Sequence, residues 1–184
     1  MRFSRKEECH IKIRIIGACG SGKSYLAREL SKKYGIRHYE LDNLVWDRSK
    51  PNERYSQEVR DSKLNEIVHR ESWIIEGVHH KWGQDSFREA DVICIICQNK
   101  YQRDFRVVKR FIRTRLGMEP SNYKQTLKNL YQMLFVWNRA FDQENLKDIM
   151  KLTEQYAEKR VLLRNNDQIM EHIENLIQFE RGVV

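Results

Sequence analysis

One octapeptide constrains this chain more than anything else in it: Gly17-Ala18-Cys19-Gly20-Ser21-Gly22-Lys23-Ser24. It fits the pattern G-x-x-x-x-G-K-S in full. The strand-like run Ile11-Lys12-Ile13-Arg14-Ile15-Ile16 precedes it, and Tyr25, Leu26, Leu30 and Tyr34 follow at helical spacing until Gly35. A glycine-rich turn between a strand and a helix is built to hold phosphates. Its backbone N–H groups wrap the anion, and the new helix presents its positive end. Gly17, Gly20 and Gly22 permit conformations and approaches that a Cβ would block. Lys23 is expected between the β- and γ-phosphates and Ser24 on Mg²⁺. The segment Gly17 to Ser24, with the adjoining Tyr25, is therefore expected to bind a nucleoside triphosphate, ATP or GTP.

The rest of the chain alternates between strand and helix patterns. Ile36 to Leu41 reads as a second strand, Trp73-Ile74-Ile75 as a third, Asp91 to Cys97 as a fourth and Arg160 to Leu163 as a fifth. The fourth is the longest continuous apolar run, as expected of a strand covered on both faces. Helices are expected over Gln57 to Arg70 (Val59, Leu64, Ile67 and Val68 inward), Gln102 to Leu116, Tyr123 to Phe141 and Asp167 to Phe179. Asp142 to Tyr156 continues the third of these. Asp47 to Tyr55, with Pro51, reads as a loop, and Gly117 to Pro120 breaks the basic helix before it. Leu127, Leu130, Tyr131, Leu134, Phe135, Asn138 and Phe141 form a stripe expected to pack inward or against another subunit. This alternation predicts an α/β fold, a parallel sheet with helices on both faces and right-handed crossovers. At 184 residues the chain suits a single domain, 1–184.

Composition excludes some classes and leaves others open. The net charge of +8 favours anionic ligands without choosing among them. No run of eighteen apolar residues is present, so no membrane partner or span is expected. The N-terminus has no signal-peptide pattern, which points to a cytoplasmic location. Cys94 and Cys97 form a C-x-x-C inside the apolar fourth strand. With Cys9 and Cys19 they read as free thiols in a reducing compartment, not as a redox or zinc motif. The six histidines make no metal pattern, and His79-His80 reads as an exposed pair in a loop near the presumed acceptor site.

Beyond the phosphate loop, four blocks occur in a telling order: Leu41-Asp42-Asn43-Leu44-Val45-Trp46, Trp73-Ile74-Ile75-Glu76-Gly77, Arg106-Val107-Val108-Lys109-Arg110-Phe111, and Trp137-Asn138. Together the chain resembles P-loop kinases of the adenylate kinase and shikimate kinase type. It is most similar to the bacterial DNA topology modulation (FlaR-like) proteins. Glu76 stands where that group usually has Asp, Cys97-Gln98-Asn99 where it often has an acidic residue and a proline, and His79-His80-Lys81 where an arginine is expected. The resemblance implies a P-loop NTPase three-layer sandwich with strand order 2-3-1-4-5. It also implies a helical lid in the basic segment 100–120, with Arg106 and Arg110 as phosphate-contacting arginines. The loop after strand five, Arg164-Asn165-Asn166-Asp167, would border the adenine.

Asp42 follows strand two, where strand ends border the ligand crevice of a doubly wound sheet. There a carboxylate holds Mg²⁺ or takes a proton from an acceptor hydroxyl; the alternative is a helix cap. Glu40 is a weaker candidate for the same work. Glu76 is a candidate for Mg²⁺ or a substrate hydroxyl, Gly77 for close approach of the acceptor, and Trp46 for ring stacking or core closure. Lys23, Asp42, Arg106 and Arg110 are thus the candidate catalytic residues. Asp42, Trp46, Glu76 and Gly77 are the candidate acceptor site, and Ser24, Asp42 and Glu76 the candidate metal site. The expected function is ATP-dependent phosphoryl transfer to a small-molecule or nucleotide acceptor. The alternatives are a nucleotide-binding regulatory protein or a slow NTPase associated with DNA topology. Nucleic acid is a possible but not favoured partner, and a monomer or a homodimer is expected.

Overall fold

The computed structural model describes residues 10–47, 49, 53–118, 126–164 and 166–180. Cys9, Pro51, Pro120, Asn165 and the expected helix start at Tyr123 lie outside these. The parallel strands are β1 (Lys12–Gly17), β2 (His38–Glu40), β5 (Trp73–Glu76), β6 (Val92–Ile96) and β7 (Arg160–Leu163). They form one sheet in the order β2-β5-β1-β6-β7. Counted along the parallel strands alone, this is the expected 2-3-1-4-5. Two short strands, β3 (Trp46–Asp47) and β4 (Glu53–Arg54), pair antiparallel in a separate ribbon that replaces most of the loop expected from Asp47 to Tyr55. Each is only two residues long, too short for any periodicity to register.

Helices cover both faces. On one face, α1 (Lys23–Tyr34) and α9 (Asn166–Glu180) pack Leu26, Ala27, Leu30 and Ile173 onto Ile13, Ile15, Ile74, Cys94 and Ile96. On the other, α3 (Gln57–Val68), the short α4 (Asp85–Arg88) and the later helical run bury Leu64, Ile67, Val68, Phe87, Phe141 and Ile149 against Ile16, Ile75, Ile93 and Ile95. All five residues of β6 are buried, as its unbroken apolar run anticipated. Val59 departs from expectation and is exposed, because α3 meets the sheet through its C-terminal half.

After α2 (Asp42–Val45), which lies between β2 and the ribbon, α5 (Lys100–Arg115) is the longest single helix among the described residues apart from the run below. A helical run then comprises α6 (Leu127–Tyr131), a π-helical stretch Gln132–Trp137, α7 (Asn138–Ala140), a second π-helical stretch Phe141–Asn145 and α8 (Leu146–Leu152). These π turns correct the expected apolar stripe. A π turn closes i→i+5, so a face spaced for 3.6 residues per turn drifts away from the core. Met133, Asn138 and Phe141 are buried, whereas Leu127, Tyr131 and Phe135 are exposed. A 3₁₀ segment, Glu154–Lys159, leads into β7. Among the described residues no helix is long and apolar enough to cross a membrane.

Candidate functional site

The phosphate loop leaves the end of β1 and turns through two left-handed glycines, Gly20 at φ +77° and Gly22 at φ +88°, the latter capping α1. A Cβ on Gly20 would lie 2.5 Å from the Arg103 carbonyl oxygen and 2.8 Å from Val107 Cγ2. Gly20 is thus the contact through which α5 rests on the loop. Gly17 faces Ser21 and Ile96, where a Cβ would approach Ser21 Oγ to 2.7 Å. Ala18 is buried, Cys19 half-buried and Tyr25 exposed. Lys23 curls over the loop, its Nζ 3.4 Å from the Ala18 oxygen.

Residues far apart in sequence meet beside this loop. Ser24 Oγ donates to Glu76 Oε1 at 2.5 Å. Glu76 is only 3% exposed, and its other oxygen, Oε2, is buried with no hydrogen-bond partner. Glu76 ends β5, in register with Ile15 of β1 and Glu40 of β2. The Leu41 N–H donates to the Glu76 carbonyl at 2.9 Å, which brings the start of α2 alongside. Asp42 Oδ1 then accepts from His79 Nε2 at 3.0 Å. Glu40 is drawn to Arg28 and Asn43 instead. Gly77 packs on Leu41, and a Cβ there would come within 2.9 Å of Leu41 Cβ. Trp46 sits on the ribbon with the Arg54 guanidinium 4.4 Å above its ring.

Sequence reasoning missed Arg14. It is wholly buried in β1 and lies over the Phe87 ring at 4.8 Å. Its guanidinium donates to the carbonyls of Ile15 (2.6 Å), Gly77 (3.2 Å) and His79 (2.8 Å). Burial drives its pKa down to about 9, against the opposing pull of Glu76. One signal was present: a lone arginine in an isoleucine run that must lie mid-sheet has to satisfy its charge internally. His80 corrects the expectation of an exposed pair, being buried with its Nε2 3.7 Å from Asp148; His79 is half-buried.

The basic helix divides its arginines. Arg103 is buried and makes a two-pronged bond to Asp142 at 2.9 and 2.6 Å. Buried Asn138 donates to Asp104 at 2.9 Å. These contacts bind α5 to the helical run. Arg106 donates to Gln98 at 2.7 Å, and Arg110 lies 3.7 Å from the Met133 sulfur. One turn before Arg106, Gln102 joins Cys97, Asn99 and Arg164 in lining an open cleft of about 560 Å³ between α5 and the end of β7. Cys94 is buried and free, its thiol pushed up to about 12 by burial. Cys97 is half-buried and free, also raised by burial, with Arg164 opposing. Among the described residues no group of three or more His, Cys, Asp or Glu is placed to hold a metal by itself.

Three comparisons bear on this geometry. A family model described as an AAA domain matches residues 13–114, more than half of the chain, from β1 through the phosphate loop to α5. The uncharacterized protein YqaC of Bacillus subtilis (strain 168) is 30% identical over 84 residues, 46% of this chain and 47% of that protein. The match thus spans about half of that relative's length. The crystal structure of an uncharacterized protein from Eubacterium ventriosum ATCC 27560 superposes with a TM-score of 0.51 at 18% identity, covering 92% of this chain and 98% of that one. It has the same fold.

Proposed function

The chain belongs to the AAA-domain family, of nucleotide-binding P-loop NTPase type, and on that footing we propose that it is an ATP-dependent phosphotransferase acting on a small-molecule or nucleotide acceptor. The observation that carries this reading is the pair Ser24–Glu76. A hydroxyl and a carboxylate oxygen meet at the mouth of the phosphate loop, and the second carboxylate oxygen has no partner. Hard oxygen donors with room for phosphate oxygens suit Mg²⁺. Ser24 and Glu76 would hold that ion, which neutralises charge on the phosphates when bound. Asp42 lies one strand over, on the acceptor side.

The protein's own groups account for the remaining requirements. The loop amides and Lys23 bind the phosphates. The cleft lined by Cys97, Asn99, Gln102 and Arg164 takes the base; Cys97 follows Ile96, the β6 partner of Gly17 at the start of the loop. Arg106 lies one helical turn beyond Gln102 of that cleft, and exchanging Gln98 for a phosphate oxygen would place its charge on the transferring group. The acceptor enters beside Asp42 and the Glu76–His79 loop. A cytoplasmic setting suits the free cysteines and supplies ATP and Mg²⁺. The resemblance to adenylate and shikimate kinases supports transfer over hydrolysis.

The test is incubation with γ-labelled ATP, Mg²⁺ and pooled hydroxyl and phosphate acceptors, with Lys23→Ala as control. Label on an organic acceptor, absent in the control, supports the phosphotransferase. Label released solely as inorganic phosphate makes the protein an NTPase.

A further inference from the structure

We propose that the outer face of α5 is a docking surface for an anionic phospholipid bilayer. This helix carries two apolar lines. One is spent inside the molecule: Arg103, Val107 and Phe111 are buried, and the Arg103 carbonyl and the Val107 side chain lie against Gly20 of the phosphate loop. The other is made by Tyr101, Phe105, Val108, Ile112 and Leu116, which recur in steps of three and four residues. At 3.6 residues per turn it runs about 150° around the helix from the buried line. Tyr101 is 75% exposed, Phe105 67%, Ile112 51% and Leu116 67%, with Val108 half-buried between them. A row of large apolar side chains standing in water marks an interaction surface.

Charge and shape select the occupant. Lys109 and Arg113 border the row on one side, Lys100 and Arg115 on the other, and all four are exposed. The one acid of α5, Asp104, is half-buried and accepts from Asn138 at 2.9 Å. The partner is therefore anionic. A second copy meeting this face with its own would set basic flank against basic flank. The row stands away from the docked side of α5 as a ridge, whereas a partner helix is taken up in a groove. Single-stranded nucleic acid is held by stacking on rings, but the C-terminal part of the row, Val108, Ile112 and Leu116, is aliphatic.

A bilayer surface suits each of these features. Aromatic and aliphatic side chains enter the boundary between headgroups and acyl chains, and flanking Lys and Arg meet the lipid phosphates. The 16 residues of α5, about 24 Å long, lie flat in that plane. A helix so placed needs one apolar face, so the lack of an eighteen-residue apolar run bears on spanning alone. The phosphate loop, which meets α5 through Gly20, then lies across the width of the helix, about 10 Å, from the lipid.

The test is cosedimentation of the full chain with vesicles at about 0.1 M salt. One set is equal parts phosphatidylglycerol and phosphatidylcholine, the other phosphatidylcholine alone. Wild type should bind the anionic set more tightly by on the order of 10²-fold, and less tightly as salt rises. Phe105→Gln combined with Ile112→Gln should weaken that binding by on the order of 10²-fold, and Lys109→Gln by about fivefold. Val59→Gln, which replaces an exposed apolar residue of α3, should change nothing. Circular dichroism of every variant should match wild type, because the replaced side chains are exposed. No binding to the anionic vesicles, equal binding to both sets, unchanged binding by the Phe105→Gln, Ile112→Gln variant, or an equal loss in Val59→Gln overturns the proposal. A wild-type dimer that the same double variant abolishes in sedimentation gives the face to a second copy and also overturns it. So does a single-stranded oligonucleotide that binds more tightly than the vesicles and is lost in that variant.

Discussion

Replacing Gly20 with alanine tests whether the phosphate loop and α5 are one rigid assembly. Two costs add at this position. The residue sits at φ +77°, where an L side chain costs about 1–2 kcal/mol. The new Cβ would also lie 2.5 Å from the Arg103 carbonyl and 2.8 Å from Val107 Cγ2. Neither the backbone of α5 nor the buried Val107 yields freely, so overpacking adds about 1–3 kcal/mol. The sum is about 2–5 kcal/mol. Gly35 supplies an internal control: its φ is +74°, yet a Cβ there would meet nothing within 4 Å. Gly35→Ala should therefore cost only the conformational term, about 1–2 kcal/mol. Urea unfolding of both variants measures the difference through the midpoints at unchanged slope. Gly20→Ala should also weaken ATP binding, and Gly35→Ala should not. Equal losses of stability in the two variants would refute the claim that α5 presses on the loop.

Other consequences are as direct. Arg103→Met removes the two-pronged bond to Asp142, whose carboxylate stands partly in water, and loosens α5 from the helical run, which should cost about 1–3 kcal/mol in urea unfolding; an unchanged midpoint would show that the bridge contributes nothing. The native Cys94 thiol is raised to about 12 from its ordinary 9.0. Between those values the folded chain holds the proton that the unfolded chain has lost, so Cys94 makes stability fall as pH rises through this window. Unfolding midpoints of Cys94→Ala should decline less steeply there than those of wild type. Arg14 works in the opposite sense above pH 9, but it is present in both proteins and cancels in the difference. At pH 8 a thiol reagent should modify Cys19 and spare Cys94, and bound ATP should shield Cys19 because it lies in the loop; labelling of Cys19 at the same rate with saturating ATP would place the nucleotide elsewhere.

How far the sequence alone reaches can be seen residue by residue. The β-branched runs around Ile13, Ile74 and Ile95 mark strands because they are buried on both faces, and the loop from Gly17 to Ser24 declares itself by its glycines and its lysine. Glu76 and Asp42 were legible as strand-end carboxylates. Their partners were not: Ser24 is 52 residues from Glu76, and His79 is 37 residues from Asp42. Such pairs depend on strand register, which no local pattern encodes. Arg14 looked like an ordinary strand residue because its burial follows from what covers β1, not from its neighbours. The exposed Tyr131 and Phe135 escaped because π turns break the period on which an amphipathic reading depends. Arg103, within the basic segment 100–120, is a buried anchor and not a lid arginine, since its counter-charge Asp142 comes from the later helical run.

The central claim is that Gly17 to Ser24, completed by Glu76, binds a triphosphate with Mg²⁺. Calorimetric titration of ATP, with and without Mg²⁺, into wild type, Lys23→Ala and Glu76→Gln tests it most directly. Saturable one-to-one binding to wild type is predicted, at least tenfold weaker in Lys23→Ala, with the Mg²⁺ enhancement lost in Glu76→Gln. No binding by wild type, or equal binding by all three proteins, would contradict it.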